Sequence, residues 1–367
     1  MKQNKKTSGI LGGLLLLLVG IGLLWWNEGR TVKNQSGINE ARKNYTQIKS
    51  NKIDSKYDGK LVATNGNLDL SEAPELKDEE FGITVKAAKL ERYVEMYQWE
   101  EHCRTNDNNI KKCSYKKVWE DRIIDSSHFD KPDHNNPEIM PYESETYTAN
   151  NAKLGKYTLP AELLVKLSTN KTKNEDDLKN EYNKNNVSLK VSGKYLTNNT
   201  EEAQIGDIRI SFKYSDAKKA SVLAVQNDDS FKQYTAKKGK VIYTIKEGTY
   251  TGEEILMQMT KQNKFYKWLW RIIGTLIVMA SIGSLFDPIQ KLANFIPIIR
   301  NIVSIGISLV SFVVGLAISL LVIAIAWFRY RPILSIILIV IIIGLFVFLK
   351  MKKPTNSEPT ANSKTKE

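Results

Sequence analysis

Hydrophobic positions crowd the two ends of the chain. Ile10 to Trp26 carries no charged side chain, and three more apolar runs follow residue 267: Trp268 to Phe286, Ile302 to Trp327 and Ile333 to Leu349. A hydrocarbon core of about 30 Å takes roughly 20 residues of helix, with about 17 as a working minimum. The pattern therefore predicts four transmembrane helices, at 10–26, 268–286, 302–327 and 333–349. Arg271, in the first turn of the second, is expected to snorkel to the headgroups. Residues 328–332 make a turn, with Pro332 starting the last helix. Residues 287–301, broken by Pro288 and Pro297, read as an interfacial amphipathic loop, or else as extensions of the flanking helices. Gly9 and Gly13, and Ser311, Gly315 and Ser319, place small residues at helical spacing, where backbones can approach closely.

Between these ends the period changes from that of a helix to that of a strand. "GKLVATNGNLDLS", "ITVKAAKLERYVEMYQWEEHC", "VSLKVSGKYLT", "GDIRISFKYS", "KASVLAVQ" and "KVIYTIKEGTY" are short alternating runs separated by Gly, Asn or Asp. They predict a β-rich, α+β module of the sandwich or small-barrel kind over residues 27–267. "NKTKNEDDLKNEYNKNN" reads as a charged helix or loop, and Gly252 to Lys267 as a helix feeding into the second span. In "LLWWNEGRTV", Trp25 and Trp26 are interfacial anchors. Gly29 predicts a left-handed helix end, so that Asn27 to Arg30 mark the exit from the membrane.

Charge sets orientation and narrows the partners. Lys2, Lys5 and Lys6 at one end and Lys350, Lys352 and Lys353 at the other put both termini, 1–9 and the disordered basic tail 350–367, on the cytoplasmic side. The β-rich region is then extracytoplasmic or lumenal. A cleaved signal peptide competes for the first segment, but no small-x-small site follows it. The net charge is +13, from 53 Lys and Arg against 40 Asp and Glu. These charges are interspersed, which argues against a nucleic-acid partner and for the lipid bilayer.

Chemistry is sparse. There is no G-x-G-x-x-G, no phosphate loop, no G-x-S-x-G and no H-E-x-x-H. No catalytic residue, cofactor-binding residue or cofactor is therefore assigned. Glu100 and Glu101 are adjacent on a strand and face opposite ways, so they do not form a converging carboxylate pair. Cys103 and Cys113 flank "RTNDNNIKK" in a β-hairpin, where they can join as a disulfide in an oxidising compartment or stay free. With His102 they fall short of a zinc set, since the spacing is wrong and a fourth ligand is missing, so no metal site is expected.

Several stretches taken together resemble the LUMA family, also called transmembrane protein forty-three. They are "NEGR" (Asn27, Glu28, Gly29, Arg30), "RYVEMYQWEE" (Arg92 to Glu101), "VWEDRIIDSSHFD" (Val118 to Asp130), Asn136-Pro137, "GDIRISFKY" (Gly206 to Tyr214), "FIPIIRNIV" and "WFRYRPIL". The resemblance runs from about Gly9 to Leu349. It marks Asn27, Glu28, Gly29, Arg30, Glu95, Tyr97, Gln98, Trp99, Trp119, Gly206, Asp207 and Arg209 as family-motif positions, with no role attached.

The family implies a non-enzymatic multi-pass membrane scaffold or receptor that organises membrane protein complexes and self-associates into a homo-oligomer. In animal members it implies the endoplasmic reticulum and inner nuclear membrane, with emerin- and lamin-like partners. A bacterial member would sit in the cytoplasmic membrane without those partners. The alternative is an oligomeric channel or transporter-like assembly, against which stands the lack of polar residues along the spans.

Overall fold

The computed structural model describes residues 4–105, 110–178, 181–184, 187–286 and 297–328, with isolated helical positions at 336–337, 340–341 and 343–344. The chain divides into two compact units: Met1–Asn34 with Gln262–Glu367, and Gln35–Lys261. The helices are α1 (Asn4–Asn44), the single turn α2 (Ala161–Leu164), α3 (Gly252–Leu285) and α4 (Pro297–Phe328).

Among the described residues, three helical stretches are long and apolar enough to cross a membrane: Ile10–Asn44, Gly252–Leu285 and Ile305–Phe328. The fourth expected span, Ile333 to Leu349, lies outside the described residues except at the isolated helical positions. The expected interfacial loop falls outside them from 287 to 296. From Pro297 the chain is helical, with proline at the first helical position, where its missing N–H costs nothing. The Gly252–Lys267 helix does run without a break into the second span.

Gly29 does not end the first helix. Helix α1 passes through it and continues to Asn44. A glycine inside a helix costs only about 1 kcal/mol relative to alanine, and the residues on either side of Gly29 are held by the contacts described below.

In the helical unit, Leu24, Val278, Val322 and Ile323 form a common core, with Leu17, Ile21, Ile318 and Trp327 packed on it. Small residues let the backbones close in. A Cβ on Gly20 would lie 2.8 Å from Val278 Cγ2, and one on Gly315 would lie 2.8 Å from Met279 Cα. Ser311 and Ser319, on the same face as Gly315, are buried.

The second unit is β-rich. One sheet runs Ser230–Lys232, Lys219–Asn227, Leu61–Asp69, Lys153–Leu154, Tyr157–Thr158, with Thr46–Gln47 and Thr244–Glu247 paired alongside. The other runs Glu181–Lys184, Val187–Ser192, Tyr195–Thr197, Ile208–Tyr214, Lys89–Thr105, Lys111–Glu120, with Lys171–Thr172 and Glu145–Thr148 added. Both sheets face one core: Val62, Val222 and Ala224 from the first meet Leu90, Val94, Ile210 and Phe212 from the second.

The first sheet is covered on its other side too, by Ile38, Ala41, Ile255 and Leu256 around Ala63 and Leu223. This explains why "KASVLAVQ" is almost unbrokenly apolar, since a strand buried on both faces loses the polar alternation. The charged segment after residue 170, among its described residues, forms no α-helix. It holds the short strand Lys171–Thr172, a 3-10 turn at Glu175–Asp177 and the strand Glu181–Lys184.

Candidate functional site

The most heavily built polar feature of the helical unit is a ladder between α1 and α3. Asn27, Thr31 and Asn34 recur at four and three residues on α1, and Asn263, Lys267 and Arg271 recur at four on α3, so each set occupies one helix face. The two faces mesh antiparallel. Asn34 Nδ2 donates to Asn263 Oδ1 at 3.4 Å, and Asn263 Nδ2 donates to the Thr31 carbonyl at 3.1 Å. Asn27 Nδ2 donates to the Lys267 carbonyl at 3.0 Å.

At the buried end, Arg271 Nε donates to Glu28 Oε1 at 2.6 Å, and Trp327 Nε1 of α4 donates to the other oxygen, Oε2. Glu28 is 1% exposed and Arg271 9%. The Arg271 guanidinium lies 5.0 Å from the ring centroids of both Trp268 and Trp327. Among the described residues its buried Nη2 has no hydrogen-bond partner, and the two indole faces supply the attraction that an acceptor would otherwise give.

Two sequence expectations change here. Arg271 does not snorkel, because a carboxylate and two rings meet its charge inside the unit. Glu28, one of the residues read as marking the membrane exit and expected to touch the β-rich region or lipid, is a buried group of the helix bundle that pairs with Arg271 and Trp327. Arg30 does not pair with Glu28. Its Nη2 donates to Asn27 Oδ1 at 3.1 Å, and its guanidinium lies 5.4 Å from the Trp26 ring. Gly29 lies in mid-helix.

With both oxygens of Glu28 occupied, this cluster is chemically a lock: it fixes helix register and offers no free acid or base. The sequence signal that could have found it is the four-residue spacing of Asn263, Lys267 and Arg271.

The remaining motif positions lie in the β-rich unit and are mostly brought together. Register places Arg209 opposite Glu95. The pair is bidentate, Nε to Oε2 at 2.6 Å and Nη2 to Oε1 at 2.9 Å. The Arg209 guanidinium lies 4.5 Å from the Trp119 ring and 5.1 Å from that of Tyr195. Burial works against its charge, but the Glu95 carboxylate outweighs that and holds its pKa above the ordinary value. Tyr97 and Trp119 are cross-strand partners with ring centroids 5.0 Å apart.

Gly206, at φ +93°, occupies a conformation that favours glycine. Its N–H donates to the Tyr97 carbonyl at 2.9 Å, and the Tyr97 N–H donates to the Asp207 carbonyl at 2.8 Å. The Asp207 carboxylate gathers Asn198 Nδ2, Asn199 Nδ2 and the Gln204 N–H at 2.6–2.9 Å. Gln98 and Trp99 act on a different segment. Gln98 Nε2 donates to the Arg122 carbonyl and its Oε1 accepts from the Ile124 N–H, both at 2.8 Å. Asn136 takes the Trp99 N–H at 2.7 Å and donates to the carbonyls of Trp99 and Ile124. These residues tie turns to the sheet and hold no converging nucleophile or base.

Sequence reasoning missed a buried charge cluster around Arg92. Its Nη1 donates to both oxygens of Asp78, at 2.9 and 3.0 Å, and lies 2.8 Å from Glu80 Oε2. Its Nη2 reaches Glu145 Oε2 at 3.0 Å. Asp78 is fully buried, and burial pushes its pKa up against the opposing pull of the Phe81 N–H and Arg92. The cluster borders a cavity of about 420 Å³ lined by Glu91, Tyr93, Ser144, Thr169 and Lys213 among others. Cys103 and Cys113 are joined as a disulfide across the hairpin.

A sequence profile of the family described as Transmembrane protein 43 matches residues 96–332. Transmembrane protein 43 of Mus musculus is 28% identical over 352 residues, covering 90% of this chain and 86% of its own length. The Homo sapiens protein of that name is 27% identical over 358 residues, 92% of this chain and 88% of its own. The Drosophila melanogaster homolog is 25% identical over 345 residues, 89% of each. No solved structure matches the chain. The profile takes in the strand that carries Tyr97, Gln98 and Trp99, the Gly206–Asp207 turn and the spans that carry Arg271 and Trp327, and the chain belongs to the transmembrane protein 43 family.

Proposed function

We propose that the chain is a non-enzymatic membrane scaffold or receptor that organises membrane protein complexes and self-associates. The observation that carries this reading is the closed ladder of the helical unit. Its deepest carboxylate and guanidinium are spent on each other and on Trp327, whereas Leu11, Leu15, Leu18, Ile272, Leu276, Leu309 and Phe312 are exposed. Such a unit offers lipid an apolar surface and keeps its polar groups for internal register, as suits a fixed platform better than a conducting pathway, which needs polar groups lining a pore. The β-rich unit, its buried charges paired, supplies a rigid extracytoplasmic or lumenal surface. In a eukaryote the platform belongs to the endoplasmic reticulum and inner nuclear membrane, and in a bacterium to the cytoplasmic membrane.

Cross-linking with mass spectrometry in the native membrane tests the reading. Reproducible cross-links from the β-rich unit to other membrane proteins are the expected result, and recovery of self-cross-links alone overturns the heteromeric scaffold. A specific current or flux in liposomes that is lost on substitution of Glu28 or Arg271 would establish the channel in its place.

A further inference from the structure

The hairpin of strands Lys89–Thr105 and Lys111–Glu120 sets Cys103 directly opposite Cys113, and the pair is bonded as a disulfide towards the hairpin's far end, with Cys103 exposed. Glu101 stands two residues before Cys103 and shares its face of the strand. Glu101 Oε1 is held by the Tyr115 hydroxyl at 2.7 Å and the Asp130 N–H at 2.6 Å. That leaves Oε2 turned toward the sulfurs, 2.8 Å from Cys103 Sγ. One ligand atom from each of the three residues fits within a sphere of contacts no longer than 4.8 Å.

We propose that reduction of the Cys103–Cys113 disulfide turns this corner of the hairpin into a site for a thiophilic divalent cation of the zinc class, ligated by both thiolates and the Glu101 carboxylate. The reductant is a dithiol. It gives two electrons and two protons, the S–S bond breaks, two S–H bonds form, and the dithiol departs as its own disulfide. Cation binding then releases the two thiol protons.

The geometry suits the cation. Zinc takes sulfur at about 2.3 Å and carboxylate oxygen at about 2.0–2.2 Å in a tetrahedron, which needs the sulfurs roughly 3.8 Å apart. Cys103 and Cys113 stand directly opposite with Cα atoms 3.9 Å apart, and once the bond is broken rotation about χ1 brings the sulfurs to that separation. While the disulfide is intact neither sulfur carries charge, so the site exists only in the reduced chain. His102 points to the other face, where its Nε2 lies 3.3 Å from Glu100 Oε2, so it is not a ligand and the fourth position belongs to water.

The test uses the full-length protein in detergent micelles, oxidised or reduced with a phosphine that is then removed, and titrated anaerobically with Co²⁺ and, in competition with a chromophoric chelator, with Zn²⁺. The reduced protein should bind one equivalent and show a thiolate-to-cobalt charge-transfer band that the oxidised protein lacks. Glu101→Gln keeps both thiols and an acceptor for Tyr115, and should weaken binding at least tenfold. Cys103→Ser with Cys113→Ser should abolish the band. A reduced wild type without the band, a Glu101→Gln variant that binds as tightly as wild type, or a band that survives in the double serine variant would each overturn the proposal.

Discussion

Replacing Arg271 by methionine keeps most of the side-chain volume and removes the guanidinium from the helical unit. Among the described residues Glu28, 1% exposed, then retains only the Trp327 indole N–H as a donor. Removing one partner of a buried ion pair costs about 3–5 kcal/mol, because the other charge is left uncompensated. Through the tenfold-per-1.4 kcal/mol rule that is a shift in the folding equilibrium of about 10²-fold to a few thousandfold. Replacing both partners, Glu28→Met with Arg271→Met, removes the stranded charge and should return stability to within about 1 kcal/mol of wild type. Denaturant unfolding of the full chain in mixed micelles can be followed by tryptophan fluorescence, to which Trp268 and Trp327, whose rings border the pair, contribute. If Arg271→Met unfolds within about 0.5 kcal/mol of wild type, or the double variant fares no better than the single, the Glu28–Arg271 pair does not lock the helices.

Three further outcomes rest on the same reasoning. Arg92→Met should cost about 3–5 kcal/mol at neutral pH by stranding Asp78, read as faster amide hydrogen exchange along residues 89–96. The sign with pH follows from Asp78, whose pKa burial raises: its contribution is greatest below the unfolded carboxylate value and is lost as pH rises through the folded one. The defect in Arg92→Met should therefore shrink on acidification, and a defect unchanged across the whole acid titration would count against Asp78 as its source. Asp207→Ala leaves Asn198, Asn199 and the Gln204 N–H without their shared acceptor, so residues 198–207 should lose protection by about 1–3 kcal/mol, with the Gly252–Leu285 helix unaffected. Gly315→Leu drives a side chain into the backbone of Met279 and should destabilise the helical unit by about 1–3 kcal/mol, whereas Gly12→Leu, at a position with open space around it, should be near neutral.

The β-rich architecture was legible because its strands are separated by turn residues and alternate with period two, and the hairpin at Cys103 and Cys113 followed from that pattern alone. What misled was reading "NEGR" locally. Asn, Glu, Gly and Arg in succession look like a helix end, yet their partners Lys267, Arg271 and Trp327 lie some 240 to 300 positions away, beyond the reach of any window. The same cause hid the Arg92 cluster, since Asp78, Glu80 and Glu145 each look like ordinary solvated acids until the sheet gathers them. In the segment after residue 170, pairing with Tyr214 and Lys213 overrode a composition that reads as helix or loop. Tertiary pairing, not intrinsic propensity, decides such segments.

The distance along the chain between Glu28 and Arg271 also sets a clock for biosynthesis. The two are 243 residues apart, so at about 5–20 residues per second the carboxylate is made some 12–50 seconds before its guanidinium, and the Trp327 indole follows later still. Throughout that interval the first helix carries an ionised or protonated acid with no protein partner, and it must keep Glu28 hydrated or held by the insertion machinery. The first helix can therefore enter the bilayer early, but the dehydration of Glu28 waits for α3 and α4. Closure of the Glu28 cluster is therefore a late step that waits for three helices.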